Sequence, residues 1–169
     1  GGGSAVEAYQ SYWFLRYKPV GKLSVGKQSG ASDNAAILVD GSGSLVPANW
    51  VLFDNSSFYM RDAAGNAVGT WGDIGYCRSS GAGLGGDCTA GPQQLIRFDS
   101  RELDSGAGKF GVSASWGADD FWDAALRYSG DFQGFKAAAV ASFARTEIEG
   151  LPNVDYSQAG IYVEHTVTG

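Results

Sequence analysis

The chain has 169 residues, a formal net charge of −6, 44% hydrophobic and 13% aromatic content, 26 glycines and one histidine. That length permits one domain with its own core, and an acidic balance without clustered Lys or Arg excludes a nucleic-acid or anionic-surface binder. No window approaches the roughly 18 apolar residues of a membrane-spanning helix, while the Gly and aromatic share leans toward β structure with many turns.

Period-2 alternation marks seven strands. The first runs from about Ala8 to Tyr17, with Tyr9, Trp13, Leu15 and Tyr17 on one face. "KPVG" turns the chain. The second strand, "KLSVGKQ", sets Leu23 and Val25 against Ser24, Gly26 and Gln28. A long irregular segment, residues 29–93, comes next. The third strand is "LIRFDSR" from Leu95, the fourth "FGVSASW" from Phe110 and the fifth "WDAALRYS" from Trp122. The sixth spans Phe135 to about Thr146 and the seventh Tyr156 to Val167.

Within the long segment, Cys77 and Cys88 flank a glycine-rich stretch without CxxC spacing. In a reducing compartment they would be free thiols. A disulfide is the expectation, since flexible glycines ease closure and a loop of this size gains about 3 kcal/mol; it implies an oxidising, extracytoplasmic location.

The connections alternate in length. "KPVG", "DSGAG" and "GDFQG" are short and glycine-rich; residues 29–93, "GADDF" and "EGLPNVD" fall between them. In a meander, the tight turns then gather at one end and the longer loops at the other, as in outer-membrane barrels.

Strands four to six each begin and end their apolar face with aromatics: Phe110 and Trp116, Trp122 and Tyr128, Phe135 and Phe143. Ala, Val and Leu fill the middles. Folding the hairpins places Trp116 beside Trp122 and Tyr128 beside Phe135, giving two belts around an aliphatic band. A soluble sandwich also places aromatics at strand ends, but Ala137, Ala139 and Ala141 would fill its core poorly.

"FGVSASWGADDFWDAALRYSGDFQGFKAAA" resembles the central strands of general bacterial porins of the Gram-negative outer membrane. "GKLSVGKQSGASD" resembles the strand before their constriction loop, and "LIRFDSREL" with "GKFGVSASWG" the strand pair after it. The resemblance covers about 100 of the 169 residues, most specifically Phe110–Lys136. It implies an all-β, antiparallel up-and-down transmembrane β-barrel of about sixteen strands. Residues 1–169 would supply about seven of these, and residues 29–93 would fold into the lumen. It further implies a homotrimer, contact with outer-membrane lipid and lipopolysaccharide, and passage of ions and small hydrophilic solutes. Seven strands cannot close such a barrel, and "HTVTG" lacks the family's terminal Phe. "GGGSAVEAYQ" also lacks the marks of a signal peptide. The chain is therefore expected to be an internal piece of a longer protein.

On that resemblance, Asp33, Asp40 and Asp54 would project into the pore, opposed by Arg16, Lys27, Arg97 and Arg127 on the wall. Opposed charge rows create a transverse field. Arg127 has the parity of the wet face, whereas Lys27 shares that of Leu23 and Val25. No enzyme is expected: His165 is the only histidine, no GxSxG occurs, and Asp119 with Asp120 reads as a solvated turn. No cofactor or metal site is expected beyond an adventitious Ca²⁺ on the acidic loop, which lacks regular calcium-loop spacing. The alternative reading is a secreted soluble β-sandwich or small β-barrel binding module.

Overall fold

The computed structural model describes residues 8–36, 38–43, 58–70, 91–118, 120–147 and 153–168. Alternating sequences form strands because successive side chains point to opposite faces, so each segment can satisfy two different environments. The strands are β1 (Ser11–Tyr17), β2 (Gly21–Gln28), β3 (Tyr59–Arg61), β4 (Ala67–Thr70), β5 (Gln93–Ser100) and β6 (Leu103–Asp104). They continue with β7 (Lys109–Gly117), β8 (Trp122–Phe132), β9 (Phe135–Thr146) and β10 (Val154–His165). No helix occurs among the described residues.

One antiparallel sheet runs β1-β2-β5-β7-β8-β9-β10, with β6 resuming the pairing to β7 after a break at Arg101 and Glu102. The path is open, ending at β1 and β10, and forms no closed barrel among the described residues. Tight turns at residues 18–20, 105–108 and 133–134 lie at one end of this meander. The strand ends joined by residues 29–92, 118–121 and 147–153 lie at the other.

Two sequence expectations need correction. The segment 29–93 is not irregular throughout, because β3 and β4 form a separate two-stranded hairpin. Its turn is built on Asp62, whose Oδ1 accepts the backbone N–H groups of Ala64 and Asn66 at 2.9 Å each, with the Asn66 side-chain amide on Oδ2 at 3.1 Å. The Asn66 side-chain amide, followed by its backbone N–H, holds the Asp62 carboxyl below its ordinary range.

The second concerns "GDFQG". Only Gln133 and Gly134 form the turn, both with positive φ (45° and 90°), the geometry of a two-residue hairpin that favours glycine. Gly130–Phe132 therefore extends β8. The partner of Phe135 is Phe132, and Tyr128 pairs with Ala139 instead. At the other end Trp116 does pair with Trp122.

Following the register from strand to strand separates two faces. One carries Trp13, Leu15, Val25, Leu23, Ile96, Phe98, Val112, Ala114, Ala124, Leu126, the Ala137, Ala139 and Ala141 row, Ala159, Ile161 and Val163. The core is correspondingly small. Buried apolar residues are Ala31, Ala35, Leu95, Phe121, Ala125, Val140 and Ala144. Buried polar ones are Ser24, Gln28, Ser32, Ser113, Ser115, Asp123, Ser142 and Gln158. What this sheet buries is its hydrophilic side.

Candidate functional site: a loop seated across the polar face

The polar face carries Arg16, Lys22, Arg97, Asp99, Asp104, Lys109, Asp123, Arg127, Asp131, Lys136 and Glu164. On the apolar face the strands place Asp, Glu, Lys or Arg only at Lys27, Arg145 and Asp155, all at the end with the longer connections. Between those ends the apolar face holds no such charge. Its large side chains are open: Trp116 is 66% exposed, Leu126 48% and Phe135 46%. Aromatic pairs bound it, with ring centroids 4.9 Å apart for Phe110 and Tyr128 and 5.2 Å for Trp122 and Phe143. Tyr128 also stacks on Phe132 at 6.4 Å.

Residues 29–36 leave β2 and lie against the polar face, and Val39 and Gly41 approach β10. A backbone departing from a sheet loses its ladder partners and must find others once buried. Here side chains of the wall supply them. Arg97 Nη1 donates to the carbonyls of Ser29 and Gly30 at 3.2 and 2.7 Å. The Ala31 N–H donates to Ser115 Oγ at 2.7 Å, and its carbonyl accepts from Arg127 Nη2 at 2.7 Å. Ser32 donates both its N–H and its hydroxyl to Asp123 Oδ2, each at 2.8 Å. Gln158 Nε2 donates to the Ser32 carbonyl at 3.0 Å, while Gln158 Oε1 accepts from the Ala36 N–H at 3.2 Å. Four strands, β5, β7, β8 and β10, thus hold one short segment.

Two further features let the segment come close. Gly160 faces it without a side chain: a Cβ there would stand 2.5 Å from the Ala36 carbonyl oxygen and 2.8 Å from Val39 Cγ1. Near the loop root, Leu95, Phe121 and Ala144 form a small apolar plug. Beneath Ala35, Leu38 and Val39 remains a cavity of about 540 Å³, lined by Arg97, Asp99, Glu102, Lys109 and Arg127 among others.

Asp99 organises the charges on that wall. Its Oδ1 accepts from Arg97 Nε and Nη2 at 2.9 and 2.7 Å and from Ser113 Oγ at 2.8 Å, and its Oδ2 pairs with Lys22 Nζ at 3.2 Å. Arg127 Nη1 donates to Ser113 Oγ at 3.0 Å. Among the described residues Arg127 has no carboxylate within ion-pair distance.

The residues singled out from sequence are distributed as follows. Arg97 and Arg127 lie together on the polar face, and both grip loop carbonyls. Arg16 shares that face on β1, exposed, with its guanidinium carbon 5.8 Å from the Phe14 ring centroid. Lys27 pairs in register with Ser11 and Gln94 and has the parity of Leu23 and Val25, so its strand position belongs to the apolar face. Asp33 Oδ1 accepts from Asn34 Nδ2 at 2.8 Å, and Asp40 Oδ1 accepts the Ser42 N–H at 2.9 Å. Asp54, Cys77, Cys88 and Asp119 lie outside the described residues. Asp99, Asp123 and Gln158 were not anticipated as site residues; their only sequence signal is a polar side chain at wet-face parity. Comparison with protein-family models, curated proteins and solved structures returned no match.

Proposed function

We propose that this chain forms part of the wall of an outer-membrane channel of the general-porin kind, a passive aqueous path for ions and small hydrophilic solutes. The observation that carries this reading is the seating of residues 29–36 on the charged face of a sheet whose other face is open, uncharged between its ends and bounded by aromatics. A soluble sandwich buries its apolar face and wets the polar one; this sheet has the reverse arrangement, which suits a wall between hydrocarbon and water. The dimensions agree. Trp122 to Phe132 spans an eleven-residue strand, about 33 Å along its axis and about 25 Å across a bilayer at a tilt near 40°.

In this reading the cavity beside Arg97 and Arg127 is a portion of the aqueous path, and the seated segment narrows it. Selectivity comes from the fixed charges lining that path, with no covalent step. Further strands, contributed from outside this chain, would pair with β1 and β10 and remove the open edges that hydrocarbon does not tolerate. Trimeric assembly and contact with lipopolysaccharide belong to the same proposal, on the strength of the sequence resemblance.

The test is reconstitution of the full-length protein into a planar bilayer. Stepwise conductance is the expected result. Folded protein that gives none, and that stays monodisperse in plain buffer, overturns the reading in favour of a secreted soluble β-domain.

A further inference from the structure

We propose that Asp123 is the positioning residue of the constriction: through Ser32 it fixes where the loop stands in the path. The inference rests on the channel reading for its effect on permeation, whereas the pinning itself does not.

Asp123 is 1% exposed, and among the described residues it has no Lys or Arg within ion-pair distance. A buried carboxylate without a cation is costly unless hydrogen bonds compensate it. The sheet supplies none. The cross-strand neighbours on either side are Ser115, whose hydroxyl accepts the Ala31 N–H, and Ala144. Both hydrogen bonds to Asp123 come from the loop, and both come from Ser32. Its second oxygen takes none among the described residues. Within the sheet the carboxylate has only a longer-range Coulombic attraction to Arg127. Its hydrogen-bond partners among the described residues all lie in the segment that crosses the face.

Ser32 is also the point where that segment changes support. Residues 29–31 hang from β5, β7 and β8, while Ser32, Ala36, Val39 and Gly41 lie along β10 at Gln158, Gly160 and Tyr162. Two donors on one carboxylate oxygen fix both the position and the orientation of that residue, and charge assistance strengthens both bonds. Releasing Ser32 uncouples the root of the loop from its limb. Arg97 and Arg127, by contrast, also bond to the wall itself and are not dedicated to the loop.

The experiment compares the full-length protein with its Asp123→Ala, Asp123→Asn and Ser32→Ala variants, by hydrogen exchange of residues 29–36 and by single-channel conductance. Asp123→Ala is expected to speed exchange of those amides about tenfold or more, consistent with loss of hydrogen bonds to a charged group, and to raise conductance. Asp123→Asn, which keeps an acceptor without the charge, should fall between wild type and Asp123→Ala. Ser32→Ala should shift both readouts the same way, and combining it with Asp123→Ala should add little. Unchanged exchange in Asp123→Ala, or fully additive effects, overturns the pinning. Faster exchange with unaltered conductance in a working channel overturns the positioning role. If Asp123→Ala does not fold, Ser32→Ala alone decides, since it removes only a hydroxyl. If the wild type conducts no ions, the channel reading fails while the exchange data still judge the pin.

Discussion

Arg127 and Ala31, 96 positions apart in the chain, are joined by a 2.7 Å hydrogen bond from guanidinium to carbonyl. The contact makes Arg127 both a wall charge and a support for the loop. Its guanidinium also lines the cavity under the loop, with no carboxylate in ion-pair range among the described residues. Arg127→Gln keeps a donor and removes the charge. In the proposed channel, the reversal potential in a salt gradient should shift toward cations. No shift would show that Arg127 is screened from permeating ions. Arg127→Lys keeps the charge but not the forked donor geometry; selectivity should stay near wild type while loop amides exchange faster.

Gly160 tests the seat of the loop limb from the opposite strand. Gly160→Val sets side-chain carbon where the Ala36 carbonyl and Val39 now lie. Overpacking of this sort costs typically about 1–3 kcal/mol when the surroundings cannot shift. Here the loop is the yielding partner, so the cost should appear as displacement of residues 36–41. Limited proteolysis should cut that stretch faster in the variant, with the sheet remaining intact. Equal cutting rates would mean the limb is held elsewhere.

Adjacent residues on β9 offer the sharpest test of the proposal that one face meets lipid. Ala139 has apolar-face parity and Ala138 the opposite. Ala139→Arg, near the middle of the band, should destabilise the protein in membranes by about 2–4 kcal/mol, the cost of an arginine at the midplane of a barrel. Ala138→Arg should cost far less. Urea unfolding in lipid vesicles compares the two, and equal costs would contradict the assignment of faces.

The β3–β4 hairpin carries a pH prediction. The Asn66 side chain, then its backbone N–H, depresses the Asp62 pKa. A group with a lowered folded value contributes stability that is complete above its unfolded pKa and disappears as pH falls through the folded one. The hairpin should therefore loosen only under acid conditions, below the ordinary carboxylate range. Asp62→Asn should remove that dependence. Chemical shifts of the Ala64 and Asn66 amides followed against pH report it; a titration at or above the ordinary aspartate value would disprove the assignment.

Much of the sheet was legible because a strand with two unlike faces writes both of them into every second residue. Phe110, Trp116, Leu126 and Ala139 needed no knowledge of their partners to be placed on one face. The far end of β8 was misread because Gly130 and Asp131 have turn chemistry, yet Phe132 continues the alternation and only Gln133 and Gly134 carry the bend. The β3–β4 hairpin escaped because its strands have three and four residues, too few for a periodic signal. Arg127 was assigned to the correct face, but not its grip on Ala31. Asp123 carries no signal in the sequence beyond a polar side chain at wet-face parity. Its role depends on Ser32, a partner 91 residues away, and no local pattern encodes such a distance.

The separations spanned by these ties have a kinetic consequence. The bonds from residues 29–36 to β5, β7, β8 and β10 join positions between 67 and 126 residues apart. Contacts of that range form slowly, because a long stretch of chain must close before any of them rewards it. The bond from Ser32 to Gln158 cannot exist until β10 has docked on β9. Neighbouring hairpins close far shorter loops, so the ties of the crossing segment to the sheet are expected to form after the hairpins have paired.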